Sequence, residues 1–121
     1  MTKRVLIVDD ALFMRNLLRD IFSEAGWQVV AEAENGLRAI EEYNIHKPDL
    51  VTMDIVMPEL GGLDAMRRIL SEHADAKVVM CSALGQERMV MDAIKAGAKD
   101  FIVKPFQDQQ VLEVVERVCG E

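Results

Sequence analysis

Cysteine, proline and aromatic residues are scarce in this chain of 121 residues, which contains two cysteines, three prolines, one tryptophan and one tyrosine. The cysteines, Cys81 and Cys119, lie far apart, and the chain has no Cys-x-x-Cys pair of the kind that binds zinc or performs dithiol redox chemistry. We expect both to be packing residues, because free cysteine is among the most frequently buried residue types.

Positive charge is also in short supply. Lysine and arginine number 14 against 21 aspartates and glutamates, which gives a formal net charge of −7. Binding to nucleic-acid phosphates needs clustered basic side chains, so this balance argues against a nucleic-acid partner.

Long apolar runs are missing from the beginning of the chain as well. The first run, Val5 to Val8, is four residues long and is followed at once by Asp9 and Asp10. A signal peptide or a membrane span needs a longer run, so we expect a cytoplasmic protein that has no membrane partner.

Hydrophobic residues nevertheless make up 50% of the chain, which is enough to bury a core in a domain of this length. We expect residues 1–121 to form a single monomeric domain. We expect such a domain to act by docking through its own surface, without an attached output domain.

Five short apolar runs alternate with longer stretches of helical periodicity, the pattern of βα units that form a parallel sheet. Four runs are nearly continuous and predict strands buried on both faces, inside the sheet: residues 5–8, 50–53, 78–81 and 101–103. The remaining run, residues 28–33, alternates more weakly and predicts a strand nearer the edge, with one face formed by Val29, Ala31 and Ala33.

Between the first two strands, apolar residues recur every four positions, at Phe13, Leu17 and Ile21. This spacing predicts an amphipathic helix that ends at Gly26. Arg15 and Arg19 fall outside this stripe and are expected to face away from the core. With four similar helical stretches further on, the chain is predicted to form a doubly wound α/β sandwich of three layers around a five-stranded parallel sheet. Ligands of such folds bind outside the carboxyl ends of the strands.

Charged and hydroxyl side chains follow the carboxyl ends of four predicted strands: Asp9, Asp10, Asp54, Ser82 and Lys104. Three carboxylates brought to one edge repel one another unless a cation lies among them. Mg²⁺ suits such a site, because it favours one or two carboxylates together with water and phosphate oxygens. The pattern therefore predicts a magnesium site at this edge.

The motifs around these residues resemble those of the receiver domains of two-component response regulators. The resemblance extends from about Arg4 to the last helix and rests on four segments: residues 8–10 (Val-Asp-Asp), 53–58 (Met-Asp-Ile-Val-Met-Pro), 81–83 (Cys-Ser-Ala) and 104–106 (Lys-Pro-Phe). It implies the flavodoxin-like (βα)₅ fold of that family, in agreement with the pattern of strands and helices.

The resemblance implies a role for each residue at this edge. Asp54 is the phosphoacceptor. Asp10, Asp54 and the backbone carbonyl of Val56 hold Mg²⁺, or Mn²⁺ in its place, and Asp9 supports the metal through water. Phosphoryl transfer needs a positioned nucleophile and nearby cations more than acid or base groups, so the residue types suit these roles.

Three more residues receive roles by the same resemblance. Lys104 balances the phosphoryl charge, and its peptide bond to Pro105 is cis in the family. Ser82 donates a hydrogen bond to a phosphoryl oxygen, and Phe101 is the aromatic switch residue, which swings into the space left when Ser82 moves.

Within the family, the CheY-like group of chemotaxis regulators is the most similar, on the basis of residues 29–36, 80–83 and 97–106. This similarity implies a histidine kinase as donor and a flagellar motor switch protein as target. The implied docking surface is the fourth helix, fifth strand and fifth helix, including Met89, Lys99, Phe106 and Val114. It also implies a phosphoacceptor rather than an enzyme, with only self-phosphorylation and self-dephosphorylation as its chemistry.

By the same resemblance, Val56 and Leu84 flank the site, and neither carries a polar group to hold an attacking water. We therefore expect a phosphoryl group that decays slowly by itself. An auxiliary phosphatase is then expected as a further partner.

Other functions stay open on the sequence alone. A single-domain carrier of another phosphorelay, for example of the sporulation type, would share these motifs and differ in its partner. A phosphatase of the haloacid dehalogenase type needs a second acid at the position of Val56, and an FMN-binding protein would have to place a phosphate against Asp9 and Asp10. Both of these rank below the receiver domain.

Overall fold

A computed structural model describes residues 2–120 of the chain. Five strands and five helices alternate along it: β1 Arg4–Val8, α1 Leu12–Glu24, β2 Gln28–Ala33, α2 Gly36–His46, β3 Leu50–Asp54, α3 Gly62–Glu72, β4 Val78–Ser82, α4 Glu87–Ala96, β5 Asp100–Val103 and α5 Asp108–Cys119. None of the helices in residues 2–120 combines the length and the apolar character that crossing a bilayer requires.

The strands form one parallel sheet in the order β2-β1-β3-β4-β5. Helices α1 and α5 pack on one face of this sheet, and α2, α3 and α4 pack on the other. The predicted doubly wound sandwich of three layers is confirmed. In this strand order β1 and β3 are neighbours whose helices lead to opposite sides, and ligands bind at such a reversal.

The position of β5 differs from the prediction. Strands β1, β3 and β4 are buried inside the sheet, as expected, but β5 is an edge strand whose only neighbour is β4. Ile102 packs into the core, whereas Phe101 is 40% exposed and Val103 is also exposed. A run of three apolar residues carries no information about the order of strands, so this edge could not be recognised from the pattern.

Strand β2 lies at the opposite edge, as predicted, but its apolar residues do not share one face. Val29 pairs with Val5 and Ala31 pairs with Leu6, which leaves Val30 as an extra residue in a β-bulge. Val29 therefore packs on the side of α1 and α5, while Ala31 packs on the opposite side. The bulge turns Glu32, the next residue, towards α1.

The buried part of helix α1 is shorter than the predicted apolar stripe. Phe13 is largely exposed, and the fully buried residues of the helix are Leu18, Ile21 and Phe22. Burial begins only in the second turn, where the helix joins the cluster that contains Val5 and Ile7. The helix ends before Gly26, as predicted, and this glycine adopts a φ of 89°, which favours a residue without Cβ.

Both cysteines are buried, as expected. Cys81 lies inside β4, and Cys119 lies on the face of α5 that packs on the sheet. Burial raises the pKa of the Cys81 thiol to about 12. The thiolate, which is the reactive form, is therefore disfavoured at this position.

Two adjacent glycines at the start of α3 allow a test of how closely this helix packs against the end of β3. A Cβ atom at Gly62 would overlap the backbone carbonyl of Asp54, whereas one at Gly61 would lie 3.3 Å from the carbonyl oxygen of Ile55. We expect Gly62→Ala to lower the free energy of unfolding by about 1–3 kcal/mol, and Gly61→Ala to lower it much less. Urea denaturation measures both, and equal losses would show that the contact with Asp54 is not the limiting one.

Candidate functional site

The register of the sheet brings the predicted site residues to one edge. Val8 pairs with Met53 and Asp54 pairs with Cys81, so Asp9 and Asp54 leave β1 and β3 next to each other. Ser82 pairs with Val103, which places Lys104 directly beyond Ser82. The contacts among Asp9, Asp10, Asp54 and Lys104 confirm that these four side chains meet. Ser82 lies at the same edge, and its backbone carbonyl accepts from Lys104.

Three carboxylates form the centre of this edge. Asp9, Asp10 and Asp54 each offer an oxygen, and these atoms all lie within 4.8 Å of one another. Asp9 is 1% exposed and Asp54 is 7% exposed, whereas Asp10 is open to solvent. A carboxylate buried so deeply is costly unless it is paired, so the neighbours of these groups determine the chemistry.

Every polar atom of Asp9 has a partner. The backbone N–H donates to the carbonyl of Ala33 at 3.0 Å, and the backbone carbonyl accepts from Nη1 of Arg15 at 2.7 Å. Oδ1 accepts from the backbone N–H of Ala11 at 2.9 Å, and Oδ2 accepts from Nζ of Lys104 at 2.7 Å. Asp9 is thus fixed from β2, α1 and the loop after β5.

Lys104 supplies the positive charge at the site. Its Nζ lies 2.7 Å from Oδ2 of Asp9 and 3.4 Å from Oδ1 of Asp54. Its backbone N–H donates to the carbonyl of Ser82 at 2.7 Å, and its bond to Pro105 is cis. Burial alone would lower the pKa of Lys104, but the hydrogen bond to Asp9 and the charges of Asp54 and Asp9 outweigh it and raise the pKa.

The pKa of Asp54 is raised from 3.8 to about 6. Burial is the main cause, and the negative charge of Asp9 adds to it, while Lys104 works in the opposite direction. The ammonium of Lys104 thus offsets only part of the combined effect of burial and of the charge of Asp9 on this pKa. An all-oxygen donor set with excess negative charge fits a hard divalent cation such as Mg²⁺.

Val56 and Leu84 follow β3 and β4 at this edge and have exposed apolar side chains. Val56 follows Asp54 by two residues, in the loop between β3 and α3. The part that its backbone carbonyl plays in metal binding stays a prediction.

Ser82 and Phe101, the two predicted switch residues, border the same cavity. It has a volume of about 280 Å³, lies between β4, α4 and β5, and is otherwise lined mainly by apolar side chains that include Val90 and Ile94. Ser82 is buried, while the ring of Phe101 is partly exposed. The exposure shows that Phe101 is not a buried core residue.

The predicted docking residues differ in how much surface they offer. Met89 and Lys99 are exposed and Phe106 is half-buried, but Val114 is 8% exposed. Val114 belongs to the stripe of α5 that packs on the sheet with Val111. Its side chain therefore adds little to a docking surface, contrary to the expectation.

Arg15 is the site residue that the sequence analysis missed. Its side chain was expected to face away from the core, yet it is only 15% exposed and donates to the carbonyl of Asp9. It is also paired with Glu32 of β2. No local sequence signal identifies this contact, because the bulge in β2 determines which way Glu32 points.

Comparison with known proteins agrees with this arrangement. A model of the response regulator receiver domain matches residues 5–116. The chain is 58% identical over 120 residues to the chemotaxis protein CheY of Bacillus subtilis, covering 99% of this chain and 100% of that one. It is 58% identical over 118 residues to CheY of Thermotoga maritima, covering 98% of each chain.

A solved structure has the same architecture. The crystal structure of the CheX–CheY–BeF₃–Mg²⁺ complex from Borrelia burgdorferi contains a chain that matches with a TM-score of 0.92 and 40% identity. The match covers 96% of this chain and 88% of that one. The similarity therefore includes the sheet and the loops that carry the site.

The raised pKa of Asp54 predicts a pH-dependent loss of stability when no divalent cation is bound. Below about pH 4 this carboxyl is protonated in both the folded and the unfolded chain. As the pH rises from about 4 to about 6, the unfolded chain loses this proton before the folded chain does, so the free energy of unfolding falls over that range and stays lower above it. We therefore expect Asp54→Asn to raise the free energy of unfolding by about 1–3 kcal/mol at pH 8 and to change it little near pH 4.

Urea denaturation in the presence of a chelator, at both pH values, measures this effect. Asp64→Asn is the matched control, because Asp64 is an exposed acid on α3 that lies outside the cluster. A gain in Asp54→Asn that is the same at both pH values, or a loss at pH 8, would contradict the burial of an ionised carboxylate at this position.

Proposed function

Because the chain belongs to the response regulator receiver family and, within it, to the CheY group of chemotaxis proteins, we propose that Asp54 accepts a phosphoryl group from a histidine kinase. The observation that carries the proposal is the position of Asp54, which lies among two other carboxylates and 3.4 Å from the ammonium of Lys104. A nucleophile beside a metal-binding cluster and a fixed cation is the arrangement that phosphoryl transfer requires.

In the proposed step, a carboxylate oxygen of Asp54 attacks the phosphorus of a phosphohistidine. The new oxygen–phosphorus bond replaces the nitrogen–phosphorus bond, and the electron pair of the broken bond returns to the imidazole. The attacking carboxylate must be ionised, and its pKa of about 6 leaves it so at neutral pH. Lys104 holds its positive charge where the transferred oxygens arrive, and Ser82 donates a hydrogen bond to one of them.

Asp10, Asp54 and the backbone carbonyl of Val56 would hold Mg²⁺, with Asp9 supporting it through water. The ion supplies positive charge that neutralises the phosphoryl oxygens during transfer. The three clustered carboxylates support this part of the proposal, because they need a cation that the single ammonium of Lys104 does not replace.

The proposed switch runs from Ser82 to the surface around β5. Ser82 moves towards the phosphoryl group, and Phe101 swings inward. The cavity of about 280 Å³ between these two residues supports this motion, since its apolar lining would accept an aromatic ring. Motion of Phe101 changes the surface that Met89 and Lys99 share with it, and a flagellar motor switch protein is the proposed target of that surface.

The chain is proposed to be a phosphoacceptor and not an enzyme that turns over an external substrate. The names of its relatives support a chemotaxis pathway. A carrier in another phosphorelay would use the same site and differ in its partner. The cytoplasmic location and the monomeric state stay predictions.

Acetyl phosphate tests the central step without a kinase. With Mg²⁺ present, intact-mass analysis should show one added phosphoryl group on the wild-type chain and none on Asp54→Asn, because the amide is a poor nucleophile. Asp64→Asn is the control and should be modified like the wild type. Modification of Asp54→Asn, no modification of the wild type, or release of phosphate far in excess of protein would each contradict the proposal.

The apolar flanks of the site predict a slowly decaying phosphoryl group. Val56 is exposed next to Asp54 and offers no hydrogen bond to an attacking water. We expect Val56→Asn to accelerate dephosphorylation several-fold by orienting that water, and we propose that an auxiliary phosphatase supplies the missing polar group. Loss of label over time measures the rate.

Leu112→Asn provides the control for the change in polarity. Leu112 is a partly exposed apolar residue on α5, outside the loops that carry the site, and its replacement should leave the rate unchanged. Equal rates in Val56→Asn and the wild type would contradict the role assigned to Val56.

A further inference from the structure

We infer that Arg15, held in place by Glu32, is a positioning residue that orients the Asp9–Asp10 turn and thereby increases the affinity of the site for Mg²⁺. The inference rests on the proposed function in one respect, namely that these carboxylates bind a divalent cation. Neither Arg15 nor Glu32 belongs to the cluster of carboxylates itself.

The guanidinium of Arg15 makes two contacts in different directions. Nη1 donates to the backbone carbonyl of Asp9 at 2.7 Å, and Nε donates to Oε1 of Glu32 at 3.1 Å. The side chain is only 15% exposed, so these contacts are shielded from water more than those of an ordinary surface ion pair. Because the guanidinium is planar and rigid, the position of Glu32 fixes the direction in which Nη1 points at the carbonyl of Asp9.

Glu32 is itself fixed from a second side. Oε2 accepts from Arg19, which lies one helical turn after Arg15 on α1, so both carboxylate oxygens are engaged. The bulge at Val30 is the reason that Glu32 faces α1 at all, because it reverses the alternation of β2 before this residue. Bulges commonly re-aim a side chain near a functional site.

The contact with Asp9 bears on Asp10 through the peptide bond. The carbonyl of Asp9 and the backbone nitrogen of Asp10 belong to one planar peptide group. A hydrogen bond to the carbonyl therefore fixes the orientation of the peptide plane that leads into Asp10. The side chain of Asp10 is exposed, and the packing of the core does not hold it in place. Arg15 therefore restricts the orientation of the most exposed acid in the cluster.

Charge and positioning predict opposite effects when Arg15 is replaced. Removing a positive charge near a cation site should strengthen cation binding if charge alone matters. Losing the constraint on the Asp9–Asp10 turn should weaken it, and partners of this kind typically change metal affinity about 10- to 100-fold. The sign of the change thus separates the two roles.

The experiment is a calorimetric titration of the full chain with Mg²⁺. We expect Arg15→Gln to raise the dissociation constant about tenfold or more. Arg19→Gln is the matched control: it removes the same charge from the same helix and from the same carboxylate, but Arg19 does not contact Asp9. Its affinity for Mg²⁺ should fall far less than that of Arg15→Gln, because Arg15 keeps its contacts with both Asp9 and Glu32.

Arg15→Lys keeps the positive charge and most of the packing, so it tests the loss of the bridging contacts alone. A lysine donates from one nitrogen and does not bridge Asp9 and Glu32 as the guanidinium does, so its affinity for Mg²⁺ should also be weaker than that of the wild type. Circular dichroism verifies the fold of each variant. If Arg15→Gln is unfolded, Arg15→Lys decides alone.

Two results are distinguishable from each other. Wild-type affinity in Arg15→Lys, or unchanged or tighter binding in a folded Arg15→Gln, would overturn the role of Arg15 and leave the proposed function intact. A wild-type chain that neither binds Mg²⁺ nor accepts a phosphoryl group would instead overturn the proposed function.

Discussion

Three carboxylates repel one another at one edge of a buried sheet, and the contacts made by the surrounding loops must offset this repulsion. Asp9 and Asp54 are almost fully buried, and burial together with the charge of Asp9 keeps the pKa of Asp54 near 6 even though Lys104 lies 3.4 Å away. The fold holds these charges together because hydrophobic packing on both faces of the sheet fixes the register of the strands. A site that is unfavourable on its own is therefore ready for a cation and for the charge of a phosphoryl group.

The same edge shows how closely the backbone must approach to build such a site. Gly62 lies where any side chain would overlap the carbonyl of Asp54, and Gly36 lies against the backbone of Leu60 in the same way. The start of α3 is thus packed directly on Asp54, and the start of α2 is packed on the loop between β3 and α3. Glycine is required here by contact and not by an unusual φ, since neither residue has a positive φ.

The two sides of the site are coupled to different parts of the protein. On one side, Asp9 is fixed from β2 and α1 through Ala33 and Arg15. On the other side, Ser82 and Lys104 connect to the edge strand β5 and to the cavity beside Phe101. The first side is well suited to holding a metal in a constant geometry, whereas the second has the space and the exposed surface that a change of conformation needs.

The sequence by itself determined the fold class, the strands and helices, and the five polar residues that lie at the carboxyl ends of the strands, because apolar periodicity and motif spacing are local properties of the chain. It also predicted that β2 lies at an edge. Only the tertiary structure decided that β5 forms the other edge and that Arg15 turns towards Asp9. These features depend on strand order and on a bulge in β2, and neither is encoded in a local pattern, since each results from which distant residues pack together.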